Sequence, residues 1–275
     1  MKPSRFAQRP SAPVLIDTHC HLDAVGTGLD AERDEAVAEA QAQGIGQILV
    51  PAVQAADFDA VLALRARYGC WIAFGLHPLY LDRHLDDHLA VLDAALTRHA
   101  PQALGEIGLD FYLPGLDPVR QQALLIEQLK LARKHELPVL LHLRRAQDKV
   151  LRFVREQGIE RGIAHAFNGS EQQAQAWLRQ GFLLGFGGAM SYDGSLRIRR
   201  LAATLPLSAI VLETDAPDIR PAWAQDVPNR PSRLARYAQL LADLRGDDVG
   251  HITEVLFNNI INLVENGDTI EGFAI

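Results

Sequence analysis

Two histidines two positions apart, His19 and His21, end an apolar run that begins Val14-Leu15-Ile16 and turns polar at Asp17-Thr18. Along a β-strand, side chains at i and i+2 share a face. The two imidazoles are therefore expected on one side, with Cys20 on the other, packed between sheet and helices. Neutral imidazoles at one strand end can grip a divalent ion, although H-x-H alone equally describes ordinary loop-edge histidines. Further residues of the same chemistry end other apolar runs: His77 in Gly75-Leu76-His77-Pro78, Glu106 within residues 103–110, His142 after Val139-Leu140-Leu141, His165 after Ile163-Ala164, and Glu213-Thr214-Asp215 after Ile210-Val211-Leu212. A titratable group on a buried strand is costly unless paired or metal-bound. His142 or His165 alone reads as a hydrogen-bonded core residue. Converging on one face, His19, His21, His142 and His165 with Glu106 and Asp215 would make a two-metal site.

That convergence needs a scaffold. Eight short apolar runs are predicted as strands, at residues 14–19, 47–53, 71–76, 103–109, 138–143, 162–167, 182–187 and 210–214. Amphipathic helices are predicted between them at 30–43, 55–68, 86–99, 118–135, 146–157, 170–180 and 195–204, followed by two more at 231–244 and 247–264. Asp30 and Ser170 suit helix N-caps, and Gly44, Gly69, Gly158 and Gly181 suit helix ends. Near-continuous apolar strands alternating with helices imply a parallel sheet covered on both faces. The expected fold is α/β, a (β/α)8 TIM barrel with an additional C-terminal helix, whose chemistry sits where the strands end. A doubly wound sheet is the rival, but no glycine-rich dinucleotide fingerprint follows the first strand. Residues 13–275 read as a single domain, with residues 1–12 expected to be a flexible N-terminus.

The 275 residues carry a net charge of −7, and 48% are hydrophobic, which argues against coating nucleic acid through bulk charge but not against a local basic mouth. Two cysteines and no secretory signal point to the cytoplasm. No apolar run is long enough to span a bilayer, so no membrane partner is expected. Oligomeric state is left open, a monomer being compatible.

The motifs Ile16-Asp17-Thr18-His19-Cys20-His21, Gly75-Leu76-His77-Pro78, Gly105-Glu106-Ile107-Gly108-Leu109-Asp110, Pro138-Val139-Leu140-Leu141-His142, His165-Ala166-Phe167-Asn168-Gly169-Ser170, Leu212-Glu213-Thr214-Asp215-Ala216-Pro217 and Asn229-Arg230-Pro231 together resemble the TatD-like metal-dependent hydrolases and deoxyribonucleases of the amidohydrolase-type barrels. The resemblance covers nearly the whole chain. It implies one divalent ion (Zn, Mg or Mn) held by His19, His21, Glu106 and Asp215, and a second held by Glu106, His142 and His165, with Glu106 as the bridge. Accordingly, none of the four lysines, Lys2, Lys130, Lys134 and Lys149, ends a strand where a carboxylated lysine could bridge instead. Two positions depart from the family pattern. Arg145 stands where an acid is common, and Asn168 where a serine is usual.

The implied activity is a deoxyribonuclease, 3'-5' exonuclease-like, with DNA as substrate. Asp215 would ligate through one oxygen and take the attacking water's proton with the other, the alternative being a ligand only. His77, Arg144, Arg145 and Arg230 are candidate phosphate contacts, or else solvated charges. Phe111, Tyr112, Phe167, Tyr192 and Trp223 could stack bases or simply close the pocket. Asp17, Asp110 and Glu213 could orient ligands; a structural role is as compatible. Two alternatives remain: a metal-dependent amide, lactone or small phosphoester hydrolase, and a catalytically silent metal-binding barrel.

Overall fold

A computed structural model describes residues 12–26 and 30–265. The stretch expected to be flexible lies, apart from residue 12, outside the described residues. Eight strands follow one another in one parallel sheet: β1 (Leu15–Asp17), β2 (Ile45–Ala52), β3 (Trp71–Phe74), β4 (Ala103–Asp110), β5 (Val139–Arg144), β6 (Gly162–Ala164), β7 (Phe182–Phe186) and β8 (Ile210–Leu212). Seven helices cover the sheet: α1 (Asp30–Ala42), α2 (Phe58–Tyr68), α3 (His88–His99), α4 (Pro118–Lys134), α5 (Gln147–Glu156), α6 (Glu171–Leu178) and α7 (Leu196–Thr204). α8 (Leu234–Arg245) and the added helix α9 (Val249–Glu265) follow the last strand. The (β/α)8 barrel expected from the pattern is the fold. No described helix is long and apolar enough to cross a membrane.

The helices start and stop where the sequence sets backbone partners. Asp117 accepts from the N–H groups of Val119 and Arg120 with Pro118 in the first turn, and Ser170 and Gln173 form a reciprocal capping box on α6. Asp30, expected as a cap, is instead the first described residue of α1. The seam between β8 and β1 is closed beyond the ladders. Thr18 N–H donates to Leu212 O at 3.2 Å and Asp215 N–H to His19 O at 2.8 Å.

Apolar side chains fill two layers. The larger lies between sheet and helices; the smaller fills the barrel floor, where Ile16, Leu49, Trp71, Ala103, Leu140, Ile163, Leu183 and Val211 meet Phe257, Ile260, Ile261 and Leu263 of α9. Alternation along a strand then carries the inward face upward, from Leu140 to His142 and from Ile163 to His165. β4 breaks that alternation. Its pairing with β5 shifts register between Leu104 and Ile107. Strict alternation from Ala103, on the floor, would turn Glu106 toward the helices; the irregularity turns it inward instead.

Candidate metal centre

Glu106 is the middle of the site and is buried. Its Oε2 lies 3.2 Å from His19 Nε2 and 3.6 Å from His21 Nε2, while its Oε1 lies 3.2 Å from His77 Nε2 and 3.1 Å from His142 Nδ1. The two oxygens of one carboxylate thus face different pairs of imidazoles. Asp215 closes the first side, its Oδ1 being 3.6 Å from His19, 3.7 Å from His21 and 3.7 Å from His165. His19 and His21 point their Nε2 atoms at each other at 3.2 Å, and the His19 ring stacks on His165 with centroids 3.7 Å apart. β1 ends at Asp17, so the two histidines converge from the coil after the strand, not from its pleat.

Donor atoms within 4.8 Å of one another form three groups: His19, Glu106 and His165; His19, His21 and Asp215; and His77, Glu106 and His142. His165 therefore groups with His19, and His77 joins His142. Buried nitrogen and oxygen donors aimed inward suit a borderline divalent cation. A further mark is that His19 Nδ1 is buried without a hydrogen-bond partner, so the ring is held by packing with its other nitrogen turned to the centre.

The neighbours of each ring fix which nitrogen is free. Asp110 Oδ2 hydrogen-bonds His142 Nε2 at 3.0 Å, and Glu213 Oε1 lies 2.9 Å from His165 Nδ1 as an ion-pair contact. Each carboxylate orients its ring so that the opposite nitrogen faces the centre. His77 is the reverse case. Its Nδ1 accepts from Leu79 N–H at 3.1 Å, so the neutral ring carries its proton on Nε2 and donates to Glu106. His77 is in place as a donor to the shared carboxylate rather than a ligand. Asp17 touches no imidazole. Its carboxylate accepts from Thr214 N–H and O–H and from His19 N–H, tying the ends of β8 and β1 together.

Charge follows this geometry. Burial alone would raise the Glu106 carboxyl, but His77 and His19 hold it well below the usual range. Burial and neighbouring His165 keep His19 neutral. For His165 burial is outweighed by Glu213 and Asp215, which push it up to about 10 in the metal-free site. Burial raises Asp215 to about 6 and Asp17 to about 7, whereas hydrogen bonds outweigh burial at Asp110 and bring it to about 2.

The centre opens into a cavity of about 450 Å³. His21, His77, Glu106, His142, His165 and Asp215 line it, with Arg144 and Asn168 in its wall. Arg145 does not line it, and Arg230 is turned away. Its guanidinium reaches Glu39 at 2.8 Å and Glu35 at 3.5 Å on α1, so the side chain expected to meet a phosphate faces α1 rather than the cavity. Sequence reasoning missed Asp23 and Asp218, which also line the cavity. Their signal was position, since each stands two or three residues beyond His21 or Asp215.

The profile of a family described as TatD related DNase matches residues 16–265. The chain belongs to the TatD family. It is 41% identical to the metal-dependent hydrolase YjjV of Escherichia coli K12 over 90% of this chain and 97% of that protein. The crystal structure of the same TatD homologue superposes with a TM-score of 0.87 at 40% identity, over 91% of this chain and 97% of that one. A 3'-5' ssDNA/RNA exonuclease TatD from Cronobacter sakazakii is 32% identical over 82% of this chain and 89% of its own. Against this TatD frame the departures at 145 and 168 differ in setting. Asn168 lines the cavity and accepts from Gln147 at 2.8 Å. Arg145 sits outside it over the Tyr112 ring, in a left-handed turn with φ 56°.

Proposed function

We propose that this TatD-family hydrolase is a nuclease that removes nucleotides from single-stranded DNA ends in the 3'-5' direction, using two divalent ions (Zn, Mg or Mn). The observation that carries the reading is the Glu106 carboxylate facing two imidazole groups with Asp215 beside them at the base of an open cavity. His19, His21 and Asp215 would hold one ion, with Glu106 shared; His142 would serve the other. His165, stacked on His19 and 3.7 Å from Asp215, belongs on the first side. Bound there, such ions supply Lewis-acid polarisation of a phosphoryl oxygen and activation of water.

The rest falls to the chain's own side chains. Asp215 Oδ1 faces the imidazoles, leaving Oδ2 to take the proton of the attacking water. Its carboxyl, raised to about 6, is a base near neutral pH. His77 holds Glu106 in place through Nε2. Arg144, half exposed in the wall, is set to meet a phosphate. A cavity of about 450 Å³ is of small-molecule size, which favours taking in one terminal nucleotide over cutting within a strand.

A second reading, hydrolysis of small esters or amides, draws on Asp23 and Asp218, two acids in the wall that disfavour a polyanion. Incubating the protein with Mg²⁺, Mn²⁺ or Zn²⁺ and end-labelled oligonucleotides separates the two. Stepwise loss of nucleotides from the 3' end is expected; turnover of small esters or amides alone would overturn the nuclease reading, and silence with metal verified by elemental analysis would favour a non-catalytic barrel. Asp215→Asn, which tolerates the left-handed turn at φ 53°, should keep metal and lose at least about a hundredfold in kcat.

A further inference from the structure

Outside the cavity, Tyr112 follows β4 on an exposed loop and is 47% exposed. The Arg144 guanidinium carbon lies 3.9 Å from its ring centroid and that of Arg145 lies 4.7 Å from it. Arg144 lines the cavity; Tyr112 and Arg145 do not. The three therefore make a step that leads from the cavity wall to the surface. The step is held rigidly. Asp110 Oδ1 accepts the N–H groups of Tyr112 and Leu113 at 2.9 and 3.0 Å, and Gln121 of α4 brackets the Asp110 backbone at 2.8 and 3.1 Å. The other oxygen of Asp110 orients His142. Among the described residues no carboxylate lies within ion-pair distance of Arg145, and Arg144 has only Asp110 at 3.9 Å. Of the other aromatics singled out from the sequence, Phe167 is buried, Tyr192 donates to Arg220 O, and Trp223 packs on Tyr237 and Arg236.

Two planar cations over an aromatic ring, half open to solvent and lacking a close acid, match a nucleobase and its phosphate. Bases stack on aromatic rings and guanidinium planes, and the free cations pair with the backbone. We propose that Arg144, Tyr112 and Arg145 form a platform that holds the nucleotide next to the one entering the cavity, so that the chain takes single-stranded nucleic acid of two or more nucleotides. This rests on the nuclease reading for what the held strand is being presented to.

The test measures binding apart from cleavage. Anisotropy of a labelled phosphorothioate oligothymidylate with the full-length, metal-loaded protein should show Tyr112→Ala and Arg145→Glu weakening it about tenfold or more. Tyr112→Phe, which keeps the ring, should stay within about twofold of wild type. The Arg145→Ala salt slope should be shallower by about 0.7, and the losses should not extend to a mononucleotide. Wild-type binding that is absent, or equal in all variants, or lost equally for the mononucleotide, would overturn the platform. Equal cleavage by wild type and platform variants would do the same while leaving the nuclease reading intact. Platform-dependent binding without any cleavage would instead support the platform and remove the nuclease reading.

Discussion

A single carboxylate carries the most at the residue scale. Glu106 is buried, faces four imidazoles and stays ionised, because they and their hydrogen bonds outweigh its desolvation. His77 shows how a neighbour decides a role. The Leu79 amide occupies Nδ1, so only a donor faces Glu106. Removing that donor with His77→Phe should cost about 1.5–3 kcal/mol of transition-state stabilisation, roughly tenfold to a hundredfold in kcat, with metal content unchanged by elemental analysis. Loss of metal from that variant would instead make His77 a ligand. His165 gives a pH signature. Its metal-free value, about 10, lies above the ordinary 6.5, so the ring is protonated across neutral pH and must shed that proton to ligate. Metal binding between pH 6.5 and 10 should release about one proton, read by calorimetry in buffers of different ionisation heat. For the metal-free protein the sign is opposite: the raised value stabilises the fold fully below 6.5, and that contribution fades as pH climbs toward 10. Binding heats independent of buffer would show that His165 enters the site already neutral.

Elements act by aiming these side chains. The register shift in β4 turns Glu106 inward, and Gly185 of β7 leaves space for the Glu213 side chain. Gly185 on β7 lies against the Glu213 carboxylate, where an added Cβ would collide with it. Glu213 in turn holds His165 and accepts the Ala166 amide at 2.6 Å. Gly185→Ala should therefore displace Glu213, and since orienting partners are worth about ten- to a hundredfold in metal affinity, titration should show a loss of that order. Unchanged affinity would mean His165 is fixed by its stacking on His19 alone. Arg230 makes the complementary point. Its place after the last strand suggested a phosphate contact, but α1 presents Glu35 and Glu39 to it, and two nearby acids hold a guanidinium more surely than an open mouth does.

For the whole molecule, the barrel separates an apolar floor from a polar rim. Phe257 of α9 is buried against that floor. Phe257→Ala should cost about 3–5 kcal/mol and lower the melting temperature by roughly 10 °C, with metal binding kept below the transition; a loss of metal at equal stability would tie floor and rim together. Local patterning along the chain specified the alternation of apolar runs and helices, and hence the barrel, because periodicity and caps are local. The same patterning marked the residues at or just beyond the strand ends: His19, His21, His142, His165 and Asp215 were legible from their apolar context. The tertiary structure decided what depends on partners distant in the chain. The bulge that aims Glu106, the amide that makes His77 a donor, the grouping of His165 with His19, and the acids that draw off Arg230 all come from side chains on other elements. No local pattern encodes them, because each is set by packing energy shared between segments that the sequence lists far apart.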